Sequence, residues 1–189
     1  MVTERYNFMK KINNYEWSSL LDLTGKGLNQ FNAVDQNLNC SQLMNNANLD
    51  WNVEMKPVLF AKDTDIVKSD KFYSLVKDDR EVLVSGLTDS YHPMQNSQIA
   101  HIGDYVSRNT GIKFEHAFSY DRDKYVTFLA KTNGQFNIGD DVVKSYIMFN
   151  NFHTGRDKSS ILTTNISVWC SNTFMNALKD NSQFKIGIS

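Results

Sequence analysis

Alternation of apolar and polar positions is the clearest structural signal in this chain, and it dominates the C-terminal half. Apolar side chains recur there at every second position, which is the period of a β-strand with one buried face. Turn residues separate the segments, and Asp121-Arg122-Asp123 and Asn133-Gly134 predict tight connections. The strands predicted from this pattern are 113–120, 124–131, 142–149 and 160–170.

The N-terminal half has a weaker pattern. Residues 53–61 predict a strand that contains Pro57, and because proline lacks a backbone donor this strand is expected at a sheet edge or a bulge. Two further strands are predicted at 72–76 and 81–87. The region 22–48 is polar and rich in asparagine, and we expect it to be a loop with one short helix at 41–48, capped by Ser41.

Apolar residues spaced three or four apart predict helices. Ile99, Ile102 and Val106 form the buried stripe of a helix at 95–109, and Gly111 lies just beyond its end. Short helices are also predicted at 4–12 and at 172–179, the second directly after the strand 160–170. The junction near residues 170–172 would expose free backbone N–H groups at a helix start, which can bind an anion.

This order of elements predicts an α+β fold. We expect an antiparallel meander with helices packed on one face and a strand-to-helix junction near 170–172. Residues 1–48 are expected to be an N-terminal helical and loop region packed on the core. Residues 49–189 are expected to form a single α+β domain.

Composition narrows the class of protein without identifying a chemistry. The chain has 189 residues, 41% hydrophobic and 22% charged, and a formal net charge of −1, which disfavours a surface that attracts polyanions everywhere. It contains no apolar run of about 18 residues for a membrane span, and its first residues lack a signal-peptide core, so the cytoplasm is the expected location. Cys40 and Cys170 lie far apart, without the spacing of a metal site.

Three short motifs resemble a known family. The first is Val168, Cys170, Asn172, Thr173, Phe174 and Ala177 at the strand-to-helix junction, with Ser171 at the variable position and Trp169 where valine or isoleucine is usual. The second is Leu49-Asp50-Trp51-Asn52-Val53-Glu54 followed by Pro57. The third is Asn150-Asn151-Phe152-His153-Thr154-Gly155, in which Thr154 replaces an aspartate.

In this order, over roughly residues 40–180, the motifs are similar to those of the domain of unknown function 932 family. The resemblance implies a protein of a phage or plasmid, in a family that often continues past the point at which this chain stops. It implies no chemistry. The predicted meander followed by a capped helix is also similar in topology to the core of phage single-strand annealing recombinases, which lay single-stranded DNA along a basic groove and assemble into rings or filaments.

Candidate catalytic and metal-binding residues are few. None of the four histidines pairs with another at ligand spacing, and no cofactor or metal ion is predicted. His153 is the best functional candidate because it lies in a predicted loop beside Gly155, although a role in stabilising the turn is the simpler interpretation. Four aspartates at turns could suggest a magnesium site, but turn chemistry explains them better; they are Asp121, Asp123, Asp140 and Asp141.

Aromatic residues interleaved with basic ones are the remaining signal. Bases can stack on aromatic rings while lysine and arginine contact phosphates, which is how single-strand binders without sequence preference work. The alternative is a sheet with one solvated face, on which tyrosine and lysine are ordinary exposed residues. The residues predicted to bind nucleic acid are Arg122, Lys124, Lys144, Arg156 and Lys158 at phosphates, Tyr125 and Tyr146 at bases, and Asn172 and Thr173 at the helix start.

Three hypotheses follow. The first is a nucleic-acid-binding protein of a mobile element, of the single-strand annealing type, that can form a homo-oligomer. The second is a protein-binding factor without catalysis that modulates or evades a host defence system. An enzyme is the third, and it would require His153 or Cys170 in a pocket beside a carboxylate. The sequence leaves open the type of nucleic acid and the oligomeric state.

Overall fold

Two antiparallel sheets and two helices make up the part of the chain that the computed structural model describes, which is residues 28–33, 38–78, 80–138, 141–166 and 185–187. The predicted α+β class is confirmed. The larger sheet has the spatial order β1 (Leu28–Ala33), β5 (Lys113–Tyr120), β6 (Tyr125–Ile138), β7 (Asp141–Phe152), β8 (Ser160–Ile166) and β9 (Lys185–Gly187). The smaller sheet has the order β2 (Val53–Lys62), β3 (Asp65–Lys77) and β4 (Glu81–Leu87).

The two described helices are α1 (Cys40–Asn46) and α2 (Asn96–Thr110). The predicted end of α2 is confirmed, because Gly111 adopts a φ of 75° and its N–H donates to the Ser107 carbonyl at 2.8 Å. The predicted cap of α1 is wrong by two residues. The Asn39 side chain accepts from the Gln42 N–H at 2.8 Å, and the Gln42 side chain accepts from the Asn39 N–H at 3.1 Å, which forms a capping box.

Both helices pack on one face of the larger sheet, as the sequence predicts. The smaller sheet joins the same core through Val53, Leu75, Leu83 and Leu87. The buried side chains from the helices and the larger sheet are Cys40, Leu43, Met44, Ala47, Ile99, Ala100, Phe114, Ala117, Val126, Phe128, Ala130 and Phe149.

The opposite face of the larger sheet is also buried, which contradicts the expectation of a solvated face. Tyr146 is 1% exposed, Leu129 is 1% exposed and Met148 is fully buried. With Phe118, Tyr120 and Leu162 they form a second hydrophobic cluster. Period-two alternation distinguishes the two faces of a strand, but it cannot indicate whether the more polar face is covered.

Three elements differ from the prediction. The strand β1 lies within the polar region 22–48 that we expected to be a loop, and it pairs with β5. The strand β6 continues through Asn133-Gly134, where a turn was predicted and where the register with β7 shifts instead. The strand β3 begins at Asp65, seven residues before the predicted start. This first part was not predicted because its sequence alternates in charge and has no hydrophobic period.

The predicted division at residues 48 and 49 stays a prediction, although β1 and α1 contribute directly to the sheet and the core. The predicted junction at 170–172 and the helices at 4–12 and 172–179 lie outside the described residues. Within the described residues, neither helix has the length and hydropathy that crossing a membrane requires.

Candidate functional site

The hairpin turn between β5 and β6 lies at one end of the strands of the larger sheet, which we name the turn end. Its residues Asp121, Arg122 and Asp123 have φ values of 50°, 53° and 60°, so three successive residues occupy the left-handed region without a glycine. Aspartate tolerates this conformation better than arginine does. The Asp123 carboxylate accepts hydrogen bonds from the Ser119 hydroxyl and from Lys77 of the smaller sheet, and these contacts hold the turn in place.

A second loop, His153–Ser159, follows β7 at the same end. The Thr154 hydroxyl oxygen accepts from the backbone N–H groups of Arg156 at 3.2 Å and Asp157 at 3.0 Å, and the hydroxyl donates to the Asp157 carboxylate at 2.9 Å. Gly155 has a φ of 73°, and a Cβ atom there would lie 2.2 Å from the Leu87 Cδ2 atom. Any other residue would have to displace the Leu87 side chain and adopt a strained φ, so glycine is strongly favoured where this loop passes over β4.

The two loops are joined to each other. The His153 N–H donates to the Lys124 carbonyl at 2.7 Å. The Tyr125 hydroxyl lies close to the Asp157 carboxylate, and burial together with Asp157 and Asp121 raises the pKa of this tyrosine. The loops therefore form one surface.

Tyr125 is the aromatic residue of this surface, and it is partly exposed. Its ring stacks on the buried Tyr120 ring with centroids 4.6 Å apart and planes 9° apart, and it meets the Phe152 ring edge-on at 5.4 Å. These contacts fix the orientation of the Tyr125 ring.

Of the basic residues predicted to bind phosphate, Arg122, Arg156 and Lys158 are exposed and make no ion pair with another described residue. Lys124 lies 4.0 Å from Asp121, at the limit of an ion pair. The segments 121–125 and 153–158 together carry four cations and three carboxylates, one of which is paired with Lys77. The turn end is therefore mildly basic although the whole chain is not.

A buried polar network lies beneath the second loop. The Asn96 side-chain oxygen Oδ1 is 3.0 Å from His153 Nε2 and accepts from Asn151 Nδ2 at 2.9 Å. Ser159 donates to the Asn151 side chain at 2.7 Å, and Asn96 donates to the Leu49 carbonyl at 2.9 Å. The network therefore ties the loop to the start of α2 and to the segment before β2.

His153 belongs to this network and is fully buried. Because Asn96 accepts at Nε2, that nitrogen carries the proton, and Nδ1 has no partner among the described residues. Burial lowers the pKa of His153 to about 4, against a smaller opposing effect of Asp123. The interpretation of His153 as a turn-stabilising residue fits this geometry better than a surface role does.

Tyr146 cannot stack on a base, which corrects the prediction for this residue. It is 1% exposed, and its hydroxyl donates to Glu115 at 3.0 Å. Burial and the Glu115 charge raise the pKa of Tyr146 well above its ordinary value. Tyr146 pairs with Lys131, six residues along β6 from Tyr125, so it lies about 20 Å from the turn end.

The other predicted binding residues are not brought to the turn end. Lys144 pairs with Gln135 and Ile166, farther along β7 than Tyr146. Asn172 and Thr173 lie outside the described residues, as does Cys170.

Two contacting residues were absent from the predicted site. The Lys77 ammonium lies 4.7 Å from the centre of the Trp51 ring, and the Trp51 ring is 5.1 Å from the His153 ring. Trp51 was detectable as part of the second family motif. No sequence pattern pointed to Lys77, because this residue lies in β3 of the smaller sheet and contacts the turn end only in the folded structure. Among the described residues, no three metal-ligating side chains are grouped as a metal site requires.

The comparison with protein families matches residues 84–187 to the family described as Domain of unknown function (DUF932). The match covers more than half of the 189 residues, so the chain belongs to this family. It includes α2, β5 to β8, both loops of the turn end and the first and third of the motifs above, whereas the Leu49-to-Pro57 motif lies before it. The searches of curated proteins and of solved structures gave no match.

Proposed function

We propose that this chain binds single-stranded nucleic acid at the turn end of the larger sheet, as a protein of a phage or plasmid that acts in the cytoplasm of the host cell. The observation that carries the proposal is that Arg122, Arg156 and Lys158, exposed and without ion pairs to described residues, lie on two loops joined by the His153–Lys124 backbone hydrogen bond, where β6 begins with the partly exposed Tyr125.

The proposed mechanism divides between charge and stacking. Arg122, Arg156 and Lys158 contact phosphate oxygens, which releases counterions and makes affinity depend on salt. Tyr125 offers a ring whose orientation is fixed by Tyr120, so a base can stack on it without ordering a free side chain. Neither contact reads the sequence of the bases. Binding is therefore expected to be sequence-tolerant.

The number of turn-end cations without an ion pair to a described residue bounds the affinity for nucleic acid. Each phosphate contact on a single strand contributes about −0.7 to the slope of log affinity against log salt. Three contacts give a slope of about −2, a value typical of weak binding. We therefore expect binding that is measurable at low salt and lost as salt approaches physiological concentration.

Titration of labelled single-stranded DNA against salt tests the proposal. The variant Arg122→Asn/Arg156→Gln/Lys158→Gln removes three cations and places asparagine, which tolerates positive φ, at position 122. Its salt slope should fall by about 2. The control Arg108→Gln/Lys113→Gln removes two exposed cations at the far end of α2 and β5 and should leave the slope unchanged. Absence of binding at low salt, or equal loss in the control, would contradict the proposal.

A further inference from the structure

Lys77 links the smaller sheet to the turn end. It is the last residue of β3, and its ammonium makes an ion pair with the carboxylate of Asp123 in the β5–β6 turn. The side chains of Lys77 and Asp123 are 20% and 15% exposed, so solvent screens this pair less than it screens a surface pair. The Ser119 hydroxyl donates to the same carboxylate. Asp123 is therefore held from both sheets.

The contacts of Lys77 also reach the second loop. Its ammonium lies 4.7 Å from the centre of the Trp51 ring, a position in which a cation is attracted to the face of the indole. The Trp51 ring is in turn 5.1 Å from the ring of His153, where the second loop begins. The His153 N–H donates to the Lys124 carbonyl of the first loop. Lys77 therefore contacts residues that support both loops.

The partner of Lys77 is specific. Glu81 lies directly opposite Lys77 in the ladder of β3 and β4, where a cross-strand ion pair would be ordinary. Of these two carboxylates, both in the described part of the chain, the ammonium pairs with that of Asp123. The Glu81 side chain is exposed instead. The charge of Lys77 is therefore placed at the turn end.

Stability alone explains this ion pair poorly. Removing two charges from water costs about as much as their attraction returns, so a largely buried pair is weak evidence for stability. An uncharged side chain such as methionine could cover the Trp51 ring without that cost. What only a cation at residue 77 provides is neutralisation of the Asp123 charge.

That neutralisation changes the charge of the turn end. The segments 121–125 and 153–158 carry four cations and three carboxylates, which leaves a balance of +1. When Lys77 neutralises Asp123, two carboxylates remain and the balance is +2. Asp123 directly follows Arg122 in the chain, so an uncompensated charge there would repel a phosphate bound by that arginine.

We propose that Lys77 is a positioning residue of the nucleic-acid site, acting through Asp123, which it neutralises and holds so that Arg122 can contact phosphate. This inference rests on the proposed function. Lys77 makes no phosphate contact itself, because its ammonium is engaged by the Asp123 carboxylate and the Trp51 ring. The smaller sheet thus contributes to binding through a charge pair between the two sheets.

Removing the two charges singly and together tests the inference. Lys77→Met leaves Asp123 uncompensated, so affinity for labelled single-stranded DNA at low salt should fall about fivefold. Lys77→Met/Asp123→Asn should restore it to within about twofold, because asparagine tolerates positive φ and can accept from Ser119. Lys77→Arg keeps the charge and should bind like the wild type. The salt slope should stay near about −2 in all three, since no phosphate contact is removed.

Matched variants separate this pair from general charge effects. Lys77→Met/Glu81→Gln removes the carboxylate that Lys77 does not pair with, and it should bind as weakly as Lys77→Met. Lys113→Met removes an exposed lysine at the far end of β5 and should bind like the wild type. Lys77→Gln can still donate to Asp123 without a charge; it should also bind weakly, and it replaces the methionine variant if that variant does not fold. Urea unfolding gives the folded fraction of each variant, for which its affinity is corrected.

Three results would overturn the inference while leaving the proposed function in place. The first is a wild type that binds and a folded Lys77→Met that binds equally well, which would make the role of Lys77 purely structural. The second is a salt slope that falls by about 0.7 in Lys77→Met and is not restored by Asp123→Asn, which would indicate a direct phosphate contact. The third is equal rescue by Glu81→Gln. Absence of wild-type binding at low salt would overturn both proposals.

Discussion

His153 illustrates how one side chain can support a surface without belonging to it. Its ring lies between Trp51 and the amide groups of Asn96 and Asn151, and its backbone N–H holds the Lys124 carbonyl. The sequence singled out His153 because it lies beside a glycine in a loop. Burial could not be foreseen, because the residues that cover it come from three separate parts of the chain.

The titration of His153 gives a prediction at the scale of the residue. Its pKa is about 4 in the folded chain and close to 6.5 when unfolded, so between these values the unfolded chain binds the extra proton. Stability should therefore fall as pH decreases from 6.5 to 4, by up to about 3 kcal/mol from this residue. Urea unfolding at pH 7, 5.5 and 4.5 measures this dependence.

The variant His153→Gln is the control for this dependence, since glutamine can donate to Asn96 and does not titrate. Other groups that titrate in this range are common to both proteins, so the difference in slope isolates His153. Equal pH dependence in the two proteins would show that His153 is not held neutral by the fold.

At the scale of the element, the best predicted segments are those with a strong period and a clear end. Helix α2 has its apolar stripe and a glycine in the left-handed conformation after it, and β4 coincides with its predicted range. The strand β1 and residues 65–71 of β3 were not predicted, because they have no apolar period of their own. They form strands by pairing with a neighbouring strand. Asn133-Gly134 is a residue pair typical of tight turns, but it lies within β6, where the register with β7 shifts between Lys131 and Gln135.

Gly103 of α2 gives a prediction that opposes helix propensity. Replacing a helical glycine with alanine normally stabilises by about 1 kcal/mol. Here the added Cβ would lie 2.8 Å from Phe114 Cζ and 2.9 Å from Cys40 Sγ, in a fully buried contact. Gly103→Ala should therefore destabilise the chain by about 1–2 kcal/mol in chemical denaturation.

Two comparisons make this prediction specific. His101→Ala, at an exposed position of the same helix, should be neutral or slightly stabilising. Cys40→Ala in the background of Gly103→Ala should restore part of the loss, because it removes the contact with Cys40 Sγ while those with Phe114 Cζ and Cys40 Cβ remain. A more stable Gly103→Ala protein would mean that α2 can move away from α1 and β5 freely.

At the scale of the whole molecule, the fold class and the position of the helices followed from the sequence, whereas the composition of the site followed only in part. Five of the nine predicted binding residues lie at the turn end, because alternate connections of an antiparallel meander, here the β5–β6 and β7–β8 loops, lie at the same end of the sheet. Tyr146 was misassigned because the second face of the larger sheet is covered. The Lys77 contact to Asp123 joins two sheets, and no local pattern encodes it.

At the scale of the whole molecule, we predict that the fold does not require residues 58–72, the arm of the β2–β3 hairpin that extends beyond β4. Neither hydrophobic cluster includes a residue of this arm. Pro57 and Tyr73 already pair across β2 and β3, so an Asn-Gly turn between them can replace residues 58–72. The shortened chain should keep its circular dichroism spectrum and a cooperative thermal transition. Loss of the transition would place the arm within the folding unit.

In the β5–β6 turn, the backbone conformation and the proposed binding role place different demands on residue 122. Arg122 has a φ of 53°, a region in which a residue with a Cβ is about 1 kcal/mol less favourable than glycine. Glycine at 122 would relax the turn and would also delete one of the three cations at the turn end that make no ion pair with another described residue. Under the proposed binding of phosphate, the substitution that relieves backbone strain at residue 122 would therefore also weaken binding, and variation at this codon would be constrained by both effects.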